Sequence, residues 1–195
     1  MTSSDPSNLL EYVQGETLEQ TLTRGVLSLE EFVDIARQCL EGMVAAHHAG
    51  LIHRDIKPSN LMLTRLATGS FQVKILDFWI AKYLQAPAAQ TMNIDGTIMG
   101  SICWISPEQL NGDHVDERSD IYSLGCVFYF ALAGKPPFDC EKMTDTITAH
   151  LMHQLEPLAV FRPDLPEPLC EWVTSLMRRE PVERPATVMQ ALSSF

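Results

Sequence analysis

The chain has 195 residues, 46% of them hydrophobic, with 14 Lys and Arg against 25 Asp and Glu for a formal net charge of −11. This is the composition of one globular domain with a single sizeable core, short of material for an ordinary two-lobed enzyme. Nucleic-acid affinity rests on clustered Lys and Arg, so the acidic balance excludes a phosphate-backbone binder. The longest apolar run, Val127 to Ala133, is far below the roughly 20 residues that span a bilayer. Met1 to Asn8 has neither the basic nor the apolar region of a targeting signal, which predicts a cytoplasmic protein with neither membrane nor nucleic acid as a partner. The five cysteines, Cys39, Cys103, Cys126, Cys140 and Cys170, form no Cys-x-x-Cys pair. They predict neither a disulfide framework nor a zinc site, and buried, reduced thiols are expected throughout.

In chain order the first strong signal is a capping box, Ser28-Leu29-Glu30-Glu31, opening a helix. Phe32, Ile35, Ala36, Cys39, Leu40, Met43, Val44 and His47 then recur every three or four residues as one apolar stripe, and Gly50 supplies a left-handed stop. Leu61 to Leu63 and Phe71 to Leu76 are short β-prone runs separated by Thr68-Gly69-Ser70, which predicts a small hairpin. Ala86 to Gly100 is small, polar and unperiodic, and reads as a long functional loop. Beyond it, Asp120 is expected to cap a helix that is apolar all round, running to about Ala133 and ended by Gly134 and Pro136-Pro137. Two or three amphipathic helices are expected after it, around Thr144 to Gln154, Glu167 to Arg178 and Ala186 to Ser194. No internal repeat and no low-complexity tract is present.

The chemistry lies between the long helix and the loop. His53-Arg54-Asp55-Ile56-Lys57-Pro58-Ser59-Asn60, a hairpin, and then Asp77-Phe78 set charged and amide groups at fixed spacing. Alone, Lys57 or Arg54 reads as a solvated charge, and Asn60 or Asp77 as a turn former. Their joint order resembles the catalytic loop and metal-binding turn of the serine/threonine protein kinases, in their bacterial-type, eukaryotic-like branch. The likeness continues through Gly100 to Glu108 (the end of an activation segment), Asp120 to Gly125 (the start of the central helix), Gly134 to Phe138 and Arg184-Pro185. Leu10 to Val13 resembles the hinge between two kinase lobes.

The resemblance implies ATP and Mg2+ as cofactors and a role for each matched residue. Asp55 would accept the proton of the acceptor hydroxyl, and Lys57, typical of the serine/threonine branch, would place a positive charge near the transferred phosphoryl group. Asn60 and Asp77 are suited as magnesium ligands, because both offer hard oxygen donors. Glu11 and Val13 would form the hinge side of the adenine site. Met62 is either plain core or the floor beneath the adenine ring. Arg54 resembles a loop-ordering arginine, since a guanidinium pairs bidentately with phosphate, with Thr91 and Thr97 the candidate acceptors and Ser101 in place of the usual Thr. His53, Phe78, Glu108, Asp120 and Arg184 are assigned structural roles, His53 stacking near Phe78 and Arg184 pairing with Glu108.

Two departures qualify the likeness. No Gly-x-Gly-x-x-Gly precedes Leu9, nor does a strand lysine with a helical Glu partner, and Trp79 stands where the family has glycine. The expected fold is therefore mainly α with a small β-hairpin, the C-terminal, helical lobe of the protein-kinase-like fold with a truncated N-lobe. Residues 1–8 would be a disordered leader and 9–195 a partial kinase domain. Three readings of function follow: a serine/threonine phosphotransferase, inactive as this chain alone; a pseudokinase-like module that binds a protein substrate or a partner kinase; and a fragment of a longer active kinase. A separately supplied N-lobe would be a further partner.

Overall fold

The computed structural model describes residues 14–78, 101–138 and 140–195. The expectations placed on Glu11, Val13, Trp79, Thr91, Thr97, the leader and the 86–100 loop lie outside these residues. The described part is mainly helical with one small sheet, as the hydrophobic periodicity predicts.

Helix α1 (Leu18–Leu22) follows the two-residue strand β1 (Glu16–Thr17). The long amphipathic helix α2 runs Leu29–His48. Its capping box is complete, Ser28 Oγ accepting from the Glu31 amide at 3.2 Å while Glu31 Oε2 accepts from the Ser28 amide at 3.1 Å. The hairpin consists of β2 (Leu61–Arg65) and β3 (Phe71–Ile75), antiparallel with Leu63 opposite Val73. A third strand joins it, because β1 pairs with β2 at Glu16 and Leu63, giving the order β1-β2-β3. Two residues are too few to carry an alternating pattern, so β1 is legible only from its partner.

Helix α3 (Pro107–Asn111) precedes the central helix α4 (Glu117–Ala133). Asp120 does not cap α4. Asp116 does, accepting from the Arg118 amide at 2.8 Å, so the helix starts a turn earlier than expected and the Asp120 carboxylate is left for another task. Gly125 sits where α4 meets α7 (Glu167–Leu176): a Cβ there would lie 2.6 Å from Met177 Cγ and 2.9 Å from Leu176 Cβ. Between them in sequence are α5 (Met143–Met152) and the short α6 (Leu158–Phe161), whose single turn has no readable period. The chain closes with α8 (Val188–Ser193), capped by Thr187. Helices α7 and α8 lie within the expected ranges and end one or two residues short of them, while α5 starts one residue before its expected range and ends two residues early.

An aromatic ladder joins these helices. Phe32 of α2 meets Phe128 of α4 edge-on at 5.6 Å, Phe128 stacks on Trp172 of α7 at 5.8 Å, and Trp172 packs against Phe195 at 4.5 Å. Each such pair contributes about 0.5–1.5 kcal/mol beyond area burial. The Trp172 indole N–H, buried, donates to the Ala191 carbonyl at 3.1 Å, which ties α7 to α8. No cysteine is in a disulfide, but the expectation that all are buried is corrected: Cys39 and Cys126 are, Cys103 and Cys170 are half-buried, and Cys140 is exposed. Cys140 follows the Pro136-Pro137 turn, in which Phe138 takes the buried position.

The anchor of the lower half is a buried ion pair. Arg184 donates from Nη1 and Nη2 to Glu108 Oε1 and Oε2 at 2.7 and 2.9 Å, and its other three N–H groups go to the carbonyls of Arg118, Arg178 and Arg179. Glu108 Oε1 also accepts from Ser119 Oγ at 2.6 Å. Burial works to raise the Glu108 carboxyl, but the Arg184 hydrogen bonds and charge outweigh it and hold Glu108 below the usual carboxylate range. Its stabilising share is full above the ordinary value of 4.5 and is lost as pH falls through the lower, folded value.

His150 is fully buried on α5, with Nδ1 2.8 Å from the Tyr122 hydroxyl and Phe138 4.4 Å away. Burial pushes its imidazole down to about 4, and the neighbouring His153 adds to this. The folded chain therefore refuses a proton that the unfolded chain takes up below 6.5, so stability falls between pH 6.5 and 4. Relative to a His150→Leu variant, whose packing loss does not depend on pH, the chain is expected to lose about 2 kcal/mol from pH 7 to 4.5 in urea unfolding. A constant difference between the two would refute this.

Candidate active site

The 53–60 loop leaves the end of α2 and is held from below by α4. Asp120, 1% exposed, accepts the backbone N–H of His53 at Oδ2 and of Arg54 at Oδ1, both at 2.8 Å. His47 of α2 completes the arrangement, with Nε2 2.8 Å from Asp120 Oδ2 and Nδ1 3.2 Å from Glu117 Oε2. Burial alone would lower the His47 imidazole; Asp120 and then Glu117 reverse this and hold it above its ordinary value, as expected of a ring whose two nitrogens both face carboxylates.

Arg54 has φ 66° and Asp77 φ 65°, left-handed conformations that cost a non-glycine residue about 1 kcal/mol or more. Both backbone groups of Arg54 are held against that strain: Asp120 takes the N–H, and Gln109 Nε2 donates to the carbonyl at 2.9 Å. The loop then turns its side chains toward one another. Lys57 Nζ lies 2.9 Å from Asp55 Oδ2 and donates to Ser101 Oγ at 3.1 Å, so it bridges the loop and the 101–108 segment. Asn60, in the 3-10 turn Pro58–Asn60, donates from Nδ2 to the Asp55 carbonyl at 2.8 Å and to its Oδ2 at 3.3 Å.

His53 links this loop to the turn after β3. Its Nδ1 accepts the Asp55 amide at 3.3 Å, which leaves Nε2 to donate to the Leu76 carbonyl at 2.8 Å. Its ring meets Phe78 edge-on at 4.7 Å. The Leu76 amide in turn donates to the Asn60 carbonyl at 2.8 Å, so Asp77 begins one residue beyond a bond to Asn60. Met62 on β2 is half-buried, opposite Lys74 on one side and Thr17 on the other.

The donor set fits a hard cation. The Asn60 amide nitrogen is committed to Asp55, which leaves Oδ1 for a metal, and Asp77 is an exposed carboxylate on the adjoining turn. Magnesium keeps several waters and asks for one or two protein oxygens, a number these two residues could provide. Among the described residues no cluster of three or more His, Cys, Asp or Glu forms an alternative metal cage. The residues that sequence reasoning missed are His47, Glu117 and Gln109. His47 had a signal, a polar residue in an apolar stripe; the other two had none.

A mainly helical body carrying a small antiparallel sheet and this 53–60 loop is consistent with the protein-kinase-like fold, and the comparisons show the family. The family model for the protein kinase domain matches residues 2–194, and the chain belongs to the protein kinase family, in its bacterial serine/threonine branch. It is 40% identical over 178 residues to the serine/threonine-protein kinase PknA of Mycobacterium tuberculosis, covering 90% of this chain and 39% of that one. Against the serine/threonine-protein kinase pkn2 of Myxococcus xanthus it is 35% identical over 199 residues, 96% of this chain and 24% of the relative. A probable serine/threonine-protein kinase PknB of Corynebacterium glutamicum is 35% identical over 194 residues, 99% of this chain and 29% of that protein. The chain thus spans about a quarter to two-fifths of these relatives' length. Among the described residues no helix is long and apolar enough to cross a membrane.

The Asp120 carboxylate is expected to govern the loop. Asp120→Asn turns an amide NH2 toward one of the two backbone donors and should cost about 2–3 kcal/mol in urea unfolding. Amide exchange at Arg54 should rise well ahead of the α4 core; unchanged exchange there would contradict the role given to Asp120.

Proposed function

We propose that the chain carries the phosphoacceptor side of an ATP-dependent serine/threonine protein kinase, moving the γ-phosphoryl group of ATP to a protein hydroxyl. The observation that carries this reading is the position of Lys57, held between the Asp55 carboxylate and Ser101 Oγ. It supports a site with a carboxylate, a cation and a substrate-side segment within one side chain's reach.

In this reading Asp55 orients the acceptor hydroxyl and takes its proton as the new P–O bond forms and the bond to the ADP leaving group breaks. Lys57 offsets charge on the phosphoryl oxygens and keeps Asp55 in place. Asn60 and Asp77 would hold Mg2+, which supplies neutralisation of the phosphates when bound. Met62 would lie on the adenine side and the segment from Ser101 on the peptide side. The strained backbone at Arg54 and Asp77 supports pre-organisation, since it is held there by Asp120, Gln109 and the His53 network.

Calorimetric titration of the full chain with Mg-ATP tests this first. Saturable binding that Asp77→Ala abolishes is expected; a folded chain that binds nothing at millimolar Mg-ATP would overturn the reading and leave protein docking as the use of the fold. Where transfer to a serine or threonine peptide is measurable, Asp55→Asn should lower kcat by about 10²–10⁴ with little change in nucleotide affinity.

A further inference from the structure

Among the described residues β3 is an edge of the sheet, and an edge strand ordinarily leaves a row of backbone donors and acceptors unpaired. Here α2 pairs them. Gln38 Oε1 accepts the Val73 N–H at 3.0 Å while Gln38 Nε2 donates to the Phe71 carbonyl at 2.8 Å. The side-chain carboxamide thus meets β3 as the peptide group of a neighbouring strand would. Asp34, one turn earlier, accepts the Phe71 N–H at Oδ2 at 3.1 Å, and its Oδ1 accepts from Gln38 Nε2 at 2.9 Å, so the two side chains also brace each other.

The next residue in the row is Gly42, where a Cβ would stand 3.1 Å from Ile75 Cδ1. Asp34, Gln38 and Gly42 therefore run along α2 beside Phe71, Val73 and Ile75. The match is geometric: four helical residues rise about 6 Å and two strand residues about 6.8 Å, so an i, i+4, i+8 row stays in step with alternate residues of a strand over this length. One residue past Ile75 the Leu76 amide bonds to Asn60, and Asp77 follows.

We propose that Gln38 is a positioning residue for Asp77: with Asp34 it takes the place of a neighbouring strand along β3, fixes the register of β3 on α2, and so sets Asp77 beside Asn60. The role of Asp77 as a metal carboxylate rests on the phosphoryl-transfer reading; the register does not. Gln38 touches no reacting atom and acts through the strand.

The test uses the full chain with Gln38→Met, which keeps the length of the side chain and removes all three of its hydrogen bonds, and Gln38→Glu, which keeps an acceptor for Val73 and loses the donor to Phe71 and Asp34. Amide exchange at Phe71, Val73 and Leu76 should quicken about tenfold in Gln38→Met, and less at Val73 in Gln38→Glu, while the α4 core is unchanged. The free Mg2+ concentration needed for half-maximal ATP binding should rise about tenfold, with ATP affinity at saturating Mg2+ little altered, a split that general loosening of the fold does not produce. Unchanged exchange at Val73 and Leu76 would overturn the proposal, and so would faster exchange with an unmoved Mg2+ midpoint. If the natural chain binds no Mg-ATP, the phosphoryl-transfer reading falls, and the exchange at Leu76 alone decides whether Gln38 sets the register.

Discussion

Burying the Asp120 carboxylate is the constraint on which the arrangement of the 53–60 loop depends. A nearly dry anion is costly unless it is hydrogen-bonded and compensated, and here the loop itself supplies the compensation. The amides of His53 and Arg54 point at the two carboxylate oxygens, and His47 brings a ring that favours its proton against two carboxylates. Asp120 also sits in the first turn of α4, where the helix dipole favours negative charge. The loop that satisfies this one group carries Arg54 in the left-handed region, with Asp55 next in the chain.

The Glu108–Arg184 pair does for the lower half what Asp120 does for the loop. Each Arg184 N–H has an acceptor, and the guanidinium also covers the Tyr122 ring at 4.7 Å. A pair so completely satisfied holds α3 to the C-terminal segment at a fixed distance, and through Gln109 of α3 it reaches the Arg54 carbonyl. The two buried carboxylates are thus linked by one short helix. Removing either partner of the pair would leave an uncompensated charge in a place water does not reach.

Much of the fold was legible because it is built from local rules. The α2 stripe, its capping box and the hairpin on either side of Thr68-Gly69-Ser70 depend on residues no more than a few positions apart, and the family likeness rested on the contiguous 53–60 run. The start of α4 was misread at Asp120 because two acidic residues, Asp116 and Asp120, both suit a cap, and only burial separates their uses. The exposure of Cys140 was misread for the same reason: composition says what a thiol prefers and nothing of which neighbour, here Phe138, takes the interior position.

By itself the sequence determined the chemical inventory and the local elements: a carboxylate, a lysine, an asparagine and an aspartate at spacings that one loop and one hairpin can bring together. The tertiary structure decided what those groups face. Which carboxylate receives the His53 and Arg54 amides, that Lys57 reaches Ser101, and that a glutamine on α2 stands in for a strand are contacts between residues far apart in the chain. Periodicity and capping record only interactions within a turn or two of the backbone. The partners of buried donors and acceptors are fixed when the core excludes water, and then every such group must take whatever acceptor or donor the packing has brought beside it.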